Sequence, residues 1–191
     1  MQYLKDRIVK DGKVLGGDVL KVDSFLNHQL DCDVLAKMAE AFYGYFAPKG
    51  VNKILTIEAS GIGIACVTAQ LFKVPTVFAK KSRTSNLGND VYSSVVHSYT
   101  HNVDNHVRVS KDYLGAGDRV LIIDDFLANG CAIDGLADLI SQAGAELVGV
   151  GICIEKGYQG GGDKLRQKGV DLYSLAIVDK MDEDGNISFR E

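Results

Sequence analysis

The sequence predicts an α/β fold with a central, mostly parallel sheet and helices on both of its faces. Three observations lead there. Short apolar runs recur along the chain, the clearest being Val120-Leu-Ile-Ile, and such runs read as strands buried on both faces. Stretches with helical spacing of apolar residues alternate with these runs. Two of the runs lead directly into a small-residue turn and an apparent helix, after Ile57 and after Asp125.

Taken in order, residues 2–10 read as a short helix. Val19 to Val22 reads as a strand, followed by a polar segment through Gln29. Asp31 and Asp33 are candidate caps for a helix reaching about Phe46, with Val34, Leu35, Met38, Phe42 and Phe46 on one side. Lys53 to Ile57 is the next strand, and Ser60 to Leu71 holds a tight turn and a helix. Thr76 to Ala79 reads as a strand, as do the alternating stretch Asp90 to Thr100 and the short Val107 to Val109. The strand Val120 to Asp124 and a helix Ile133 to Ala143 follow. Glu146 to Ile154 is a strand, Lys164 to Lys168 a short helix, and Leu172 to Val178 a strand. Glycines cluster at turns, as in Gly16-Gly17 and Gly160-Gly161-Gly162. No linker, repeat or low-complexity tract interrupts the 191 residues, so a single domain spanning 1–191 with a substantial core is expected.

Bulk composition narrows the function classes. A formal net charge of −4 argues against a nucleic-acid binder driven by overall charge. No apolar run approaches the ~18 residues of a membrane span. The first thirteen residues carry Lys5, Asp6, Arg7 and Lys10 and lack a signal-peptide core, so a cytoplasmic protein without a membrane partner is expected. Cys32, Cys66, Cys131 and Cys153 show no zinc spacing. Cys66 and Cys153 sit in apolar contexts and are expected to be buried free thiols. His97 and His101 are four apart, but their stretch alternates like a strand and lacks an acidic partner, so no metal site is expected there. Gly61-Ile-Gly63 does not extend to a dinucleotide fingerprint, because Cys66 stands at the third glycine position.

The stretch 120–132 carries most of the chemistry. Asp124 and Asp125 fall at the C-terminal end of an apolar strand, where ligands bind in open α/β sheets. Ala128, Asn129, Gly130, Cys131 and Ala132 then lead into a helix, whose first amides favour an anion such as phosphate. Two acids cannot hold a phosphate, but they accept hydrogen bonds from sugar hydroxyls or attract Mg²⁺. Acids beside an anion cradle suggest a phosphorylated sugar.

This stretch resembles the phosphoribosyl diphosphate motif of the type I phosphoribosyltransferases. Leu20-Lys-Val-Asp-Ser-Phe-Leu-Asn27, Ile57-Glu-Ala-Ser-Gly-Ile62 and Ile152-Cys-Ile-Glu-Lys156 extend the similarity, over nearly all of the chain, to the bacterial xanthine phosphoribosyltransferases. The resemblance implies the type I fold with a small N-terminal hood over about residues 1–30. It implies transfer of the 5-phosphoribosyl group from phosphoribosyl diphosphate to N9 of xanthine, giving XMP and pyrophosphate, in purine salvage. It casts Asp124 and Asp125 as the catalytic acids at the ribose hydroxyls, and 128–132 as the 5′-phosphate cradle. Ser60 and Gly61 become pyrophosphate contacts, and Leu20, Asn27 and Lys156 the xanthine contacts. Phe126 is a candidate to stack beneath the base. The cluster Lys80, Lys81 and Arg83 resembles the basic start of a mobile loop that closes over pyrophosphate. Cys131 departs from the polar residue relatives carry there; a main-chain phosphate contact would not feel the change. The resemblance further implies Mg²⁺ bound mainly through the diphosphate, and a homodimer. Two alternatives stay open: another purine or orotate phosphoribosyltransferase, and a purine-repressor-like sensor of phosphoribosyl diphosphate. The sensors carry an N-terminal winged-helix domain, for which the residues before Leu20 leave little room.

Overall fold

The computed structural model describes residues 1–81, 90–98 and 103–190. Among them the chain runs α1 (Gln2–Asp11), β1 (Lys13–Leu15), β2 (Val19–Lys21), one π-helical turn (Asp23–Asn27), α2 (Cys32–Phe46), β3 (Lys53–Ile57), α3 (Gly61–Phe72) and β4 (Thr76–Ala79). It continues through β5 (Val91–Ser98), β6 (Val103–Ser110), β7 (Arg119–Leu127), α4 (Cys131–Gln142), β8 (Glu146–Lys156), α5 (Gly161–Gln167), β9 (Leu172–Met181) and β10 (Ile187–Phe189). Six strands form the central sheet in the order β10-β9-β8-β7-β3-β4. All its pairings are parallel except that of β10 with β9. β1–β2 and β5–β6 are separate antiparallel pairs. The expected α/β class, with a mostly parallel sheet flanked by helices, is what the chain adopts.

Alternation along β7 shows how the layers form. Leu121 and Ile123 face a core shared with α1, α2 and α3, while Val120 and Ile122 face a second core shared with α4. Successive strand residues point to opposite faces, so a continuous apolar run feeds both cores. Asp31 caps α2, its Oδ1 accepting from the amides of Asp33 at 3.1 Å and Val34 at 3.3 Å. The expected inner face of α2, Val34, Leu35, Met38, Phe42 and Phe46, is buried. The hood (α1, β1, β2 and the π-helical turn) packs into the same core through Leu4, Ile8, Phe25 and Leu26.

The structure departs from the sequence expectations in several places, four of which bear on the site or the thiols. β7 runs on to Leu127, so the two acids lie inside a strand; Phe126 and Leu127 keep pairing with Ile154 and Glu155 of the longer β8. The second helix-opening turn is shorter than expected, because α4 starts at Cys131. α5 begins at Gly161, three residues before the expected start, with glycines that look like turn residues. Cys66 is exposed rather than buried, whereas Cys153 is buried as expected. α3 is apolar on most of its circumference, so neighbouring residue types do not reveal which side faces the sheet. All four cysteines are free. No helix among the described residues is long and apolar enough to cross a membrane.

Candidate active site

β3 and β7 are adjacent and parallel, so the loops leaving their C-terminal ends stand side by side. Asp124 and Asp125 are only 4% and 7% exposed. The Asp125 amide donates to Asp124 Oδ1 at 3.1 Å. Burial, with the neighbouring Asp125 charge second, pushes the Asp124 carboxyl well above the usual carboxylate range; the Lys81 charge pulls the other way. On one side of the pair, Gly61 presses against Asp124: a Cβ there would stand 2.6 Å from Asp124 Oδ1 and 2.2 Å from Thr56 Oγ1. On the other side, Asn27 Nδ2 at the end of the hood's π-helical turn donates to Asp125 Oδ2. The acids thus sit between the 58–61 loop and the hood.

The loop at β3 contains a cis peptide between Glu58 and Ala59, and half-buried Ser60 precedes α3. Glu58 Oε1 accepts from the Lys81 amide at 2.5 Å, which ties the end of β4 to this loop. The two lysines separate here. Lys81 lies where its charge acts on Asp124. Lys80 pairs through its main chain with Arg108, and its Nζ lies 5.9 Å from the Phe78 ring centroid. Arg83 and residues 84–89 lie outside the described residues, as do His101 and the His97 side chain.

At the end of β7, Ala128, Asn129, Cys131 and Ala132 are half-buried and Gly130 takes a positive φ of 94°, a conformation glycine adopts without strain. Asn129 Oδ1 accepts from the Cys131 amide at 3.1 Å. The amides of Ala132 and Ile133 have no acceptor among the described residues. These are the first-turn donors that helix geometry leaves unpaired.

Lys156 closes β8, half-buried, with Nζ 5.8 Å from the Phe126 ring centroid. Burial lowers its ammonium below the usual lysine range, partly offset by the Asp18 carboxylate of the hood. The Tyr158 hydroxyl donates to the Asp18 carbonyl at 2.9 Å, so the hood hairpin touches the segment after Lys156. Leu20 is 6% exposed and packs its side chain into the hood's core. Asp18, Tyr158 and Thr56 carry no signal in the sequence that would single them out. Among the described residues, no group of three or more His, Cys, Asp or Glu side chains could hold a metal ion. What the arrangement offers is two carboxylates between a small-residue loop and an amide, a turn beyond them with two helix amides unpaired among the described residues, and one half-buried cation beside an aromatic ring.

Residues 21–182 match the family described as the phosphoribosyl transferase domain. The chain is 56% identical to the xanthine phosphoribosyltransferase of Ruminiclostridium cellulolyticum over 191 residues, covering all of both chains. It is 56% identical over 192 residues to the enzyme of that name from Bifidobacterium longum, again covering all of both. It is 55% identical over 191 residues to xanthine phosphoribosyltransferase 1 of Clostridium perfringens, covering all of both. Among solved structures it superposes on an adenine phosphoribosyltransferase from Giardia lamblia complexed with 9-deazaadenine. There the TM-score is 0.78 at 21% identity, covering 91% of this chain and 96% of that one. The Rhodothermus marinus adenine phosphoribosyltransferase gives a TM-score of 0.76 at 20% identity, covering 93% and 100%. At such identities these two structures speak for the fold alone.

Proposed function

The chain belongs to the phosphoribosyl transferase domain family, and from that premise we propose that it transfers the 5-phosphoribosyl group of phosphoribosyl diphosphate to N9 of xanthine, releasing pyrophosphate. One observation carries this reading: Asp124 touches the 58–61 loop while Asp125 accepts from Asn27. Substitution at the sugar's C1′ needs a leaving group on one side of the ribose and an attacking base on the other. An acid pair flanked by those two segments has this order.

On this reading the carboxylates take the ribose hydroxyls. As the C1′–O bond breaks, the sugar gains positive charge, and nearby negative charge stabilises that state more than the ground state. Ser60, the main chain at Gly61 and the Lys81 ammonium receive the growing negative charge of pyrophosphate. The 5′-phosphate meets the amides of the 128–132 turn, and Asn129 Oδ1 gives up the Cys131 amide as it arrives. Cys131 then contributes through its main chain.

Lys156 and Asn27, with the main chain near Leu20, read the base over Phe126. Xanthine presents two carbonyl oxygens, which suit an ammonium and an amide NH₂ as donors. Adenine carries an amino group where the lysine needs an acceptor, so it is disfavoured. Among the described residues the two carboxylates have no third ligand beside them and make no metal cage, so Mg²⁺ would be held mainly through the diphosphate and ribose oxygens, where it would neutralise diphosphate charge. The family resemblance extends the reading to a cytoplasmic homodimer in purine salvage.

Steady-state turnover of xanthine, hypoxanthine, guanine, adenine and orotate with phosphoribosyl diphosphate and Mg²⁺ tests the proposal. Xanthine is expected to have the highest kcat/KM. Equal or faster use of adenine or orotate overturns the base assignment, and specific DNA binding without any turnover overturns the enzyme.

A further inference from the structure

Glu155 is wholly buried, beside Lys156 but not facing it. Consecutive strand residues leave opposite sides of a sheet. Lys156 therefore serves the hood side, and Glu155 serves the side where α5 lies. The Glu155 carboxylate accepts from Arg166 Nη1 at 2.9 Å and Nη2 at 2.7 Å, and from the Ser174 hydroxyl. Arg166 belongs to α5, which opens on Gly161 and Gly162. A Cβ on Gly162 would stand 2.0 Å from Glu155 Oε1. A Cβ on Gly161 would stand 2.3 Å from the Ala128 carbonyl oxygen and 2.6 Å from the Asn129 carbonyl carbon. The Gly161 amide also donates to that Ala128 oxygen at 3.2 Å. The start of α5 is thus wedged between the buried carboxylate and the 128–132 turn, with no side chain as a spacer on either side.

We propose that Glu155 and Arg166 are positioning residues for phosphoribosyl transfer: their ion pair clamps α5, and α5 through Gly161 holds the 128–132 main chain in the geometry that receives the 5′-phosphate. The inference rests on the assignment of that turn to phosphate. A paired carboxylate and guanidinium fix direction as well as distance, because two parallel bonds define a plane. Stability alone does not call for such a pair, since apolar residues of similar volume are often as good in a core. A turn that presents bare amides to a phosphate needs a rigid support, because small misplacements are costly in catalysis. The Gly160-Gly161-Gly162 run acquires a reason at each position: a turn with φ of 72°, contact with the phosphate turn, and room for Glu155.

Arg166 is 34% exposed, so a free guanidinium ion can enter its place once the side chain is removed. Arg166→Ala is expected to raise KM for phosphoribosyl diphosphate about tenfold, with KM for xanthine and kcat moving less than about threefold. Added guanidinium is expected to restore the KM, and calorimetric affinity for ribose 5-phosphate is expected to follow it. Gly161→Ala acts on the same turn without touching the ion pair and is expected to shift the same KM. Arg166→Lys, which keeps the charge but not the two-pronged contact, is expected to fall between wild type and alanine. If Arg166→Ala does not fold, these two variants decide. A lowered melting temperature or active fraction with an unmoved KM for phosphoribosyl diphosphate overturns the clamp, as do equal rises in both KM values. A wild-type protein that transfers to no base overturns the proposed function instead.

Discussion

Asp124 is a carboxyl inside an apolar strand, and its position works against the fold. Burial raises its protonation equilibrium above the ordinary value of 3.8. Between that value and the higher folded one, the folded chain holds the proton more often than the unfolded chain. Stability therefore falls as pH rises through this window, and above it the cost of the buried charge is fully present. Asp124→Asn keeps an acceptor for the Asp125 amide and removes the charge. It is expected to raise the melting temperature at pH 8, a gain that fades as pH falls to the ordinary carboxyl value of 3.8. On the proposed function turnover is expected to drop at the same time, since the ribose would lose a carboxylate; sites shaped for function are commonly unstable in this way. Thermal melts at pH 4 and pH 8 check the first part. A variant less stable than wild type at pH 8 would mean that the ionised carboxyl is held by partners stronger than its burial.

At the scale of elements, two loop-to-helix switches lean on each other across the β3–β7 pair. Gly61 opens α3 at the spot where Thr56 Oγ1 and Asp124 Oδ1 leave no room for a Cβ, at 2.2 and 2.6 Å. Gly61→Ala is expected to cost about 1–3 kcal/mol through overpacking and to lower turnover by shifting Asp124. Denaturant titration and initial rates check both; full stability with full activity would mean that the loop yields freely. This contact was illegible in the sequence, where Gly61 looks like an ordinary turn residue before a helix. The strands β3 and β4 were legible to the residue, because their apolar runs end sharply at Glu58 and Lys80. β1 and β10 were not, being three-residue strands whose pairing partner alone makes them strands. The full length of β7 was hidden for the same reason: its acids look like a strand end, and only pairing with β8 carries the chain on to Leu127. The acid pair and the small-residue turn after it stand out by type and order, whereas Asn27 and Lys156 stand out only through the family resemblance; the fold brings Asn27 onto Asp125 and Lys156 beside Phe126. Asp18 near Lys156 could not be named from the sequence, since the two are far apart in it, nor could Arg166 on Glu155, since that pairing depends on how α5 folds back against β8.

For the whole molecule, the hood is bound to the sheet too deeply to be a separate unit. Leu4, Ile8, Phe25 and Leu26 are fully buried in the same core as Leu121, Ile123 and Cys153. The first and last segments also meet, with the Lys5 ammonium donating to the Arg190 carbonyl at 3.1 Å. Asn27 then links that hood directly to β7 through Asp125. If hood and sheet share one core, they lose it together, and we propose that residues 1–191 unfold as one cooperative unit. Leu26→Ala removes a buried side chain from the hood and is expected to cost about 2–5 kcal/mol. The loss should lower the midpoint of one transition, with far-ultraviolet circular dichroism and tyrosine fluorescence still coincident. Tyrosine serves as the probe because the chain has eight tyrosines and no tryptophan. A saturating ligand that binds only the folded state should raise that midpoint in wild type and variant alike. A variant that loses an early, separate transition while the sheet melts as in wild type would show that the hood folds on its own. Asn27 would then be carried by an element able to leave the acid pair without unfolding the rest.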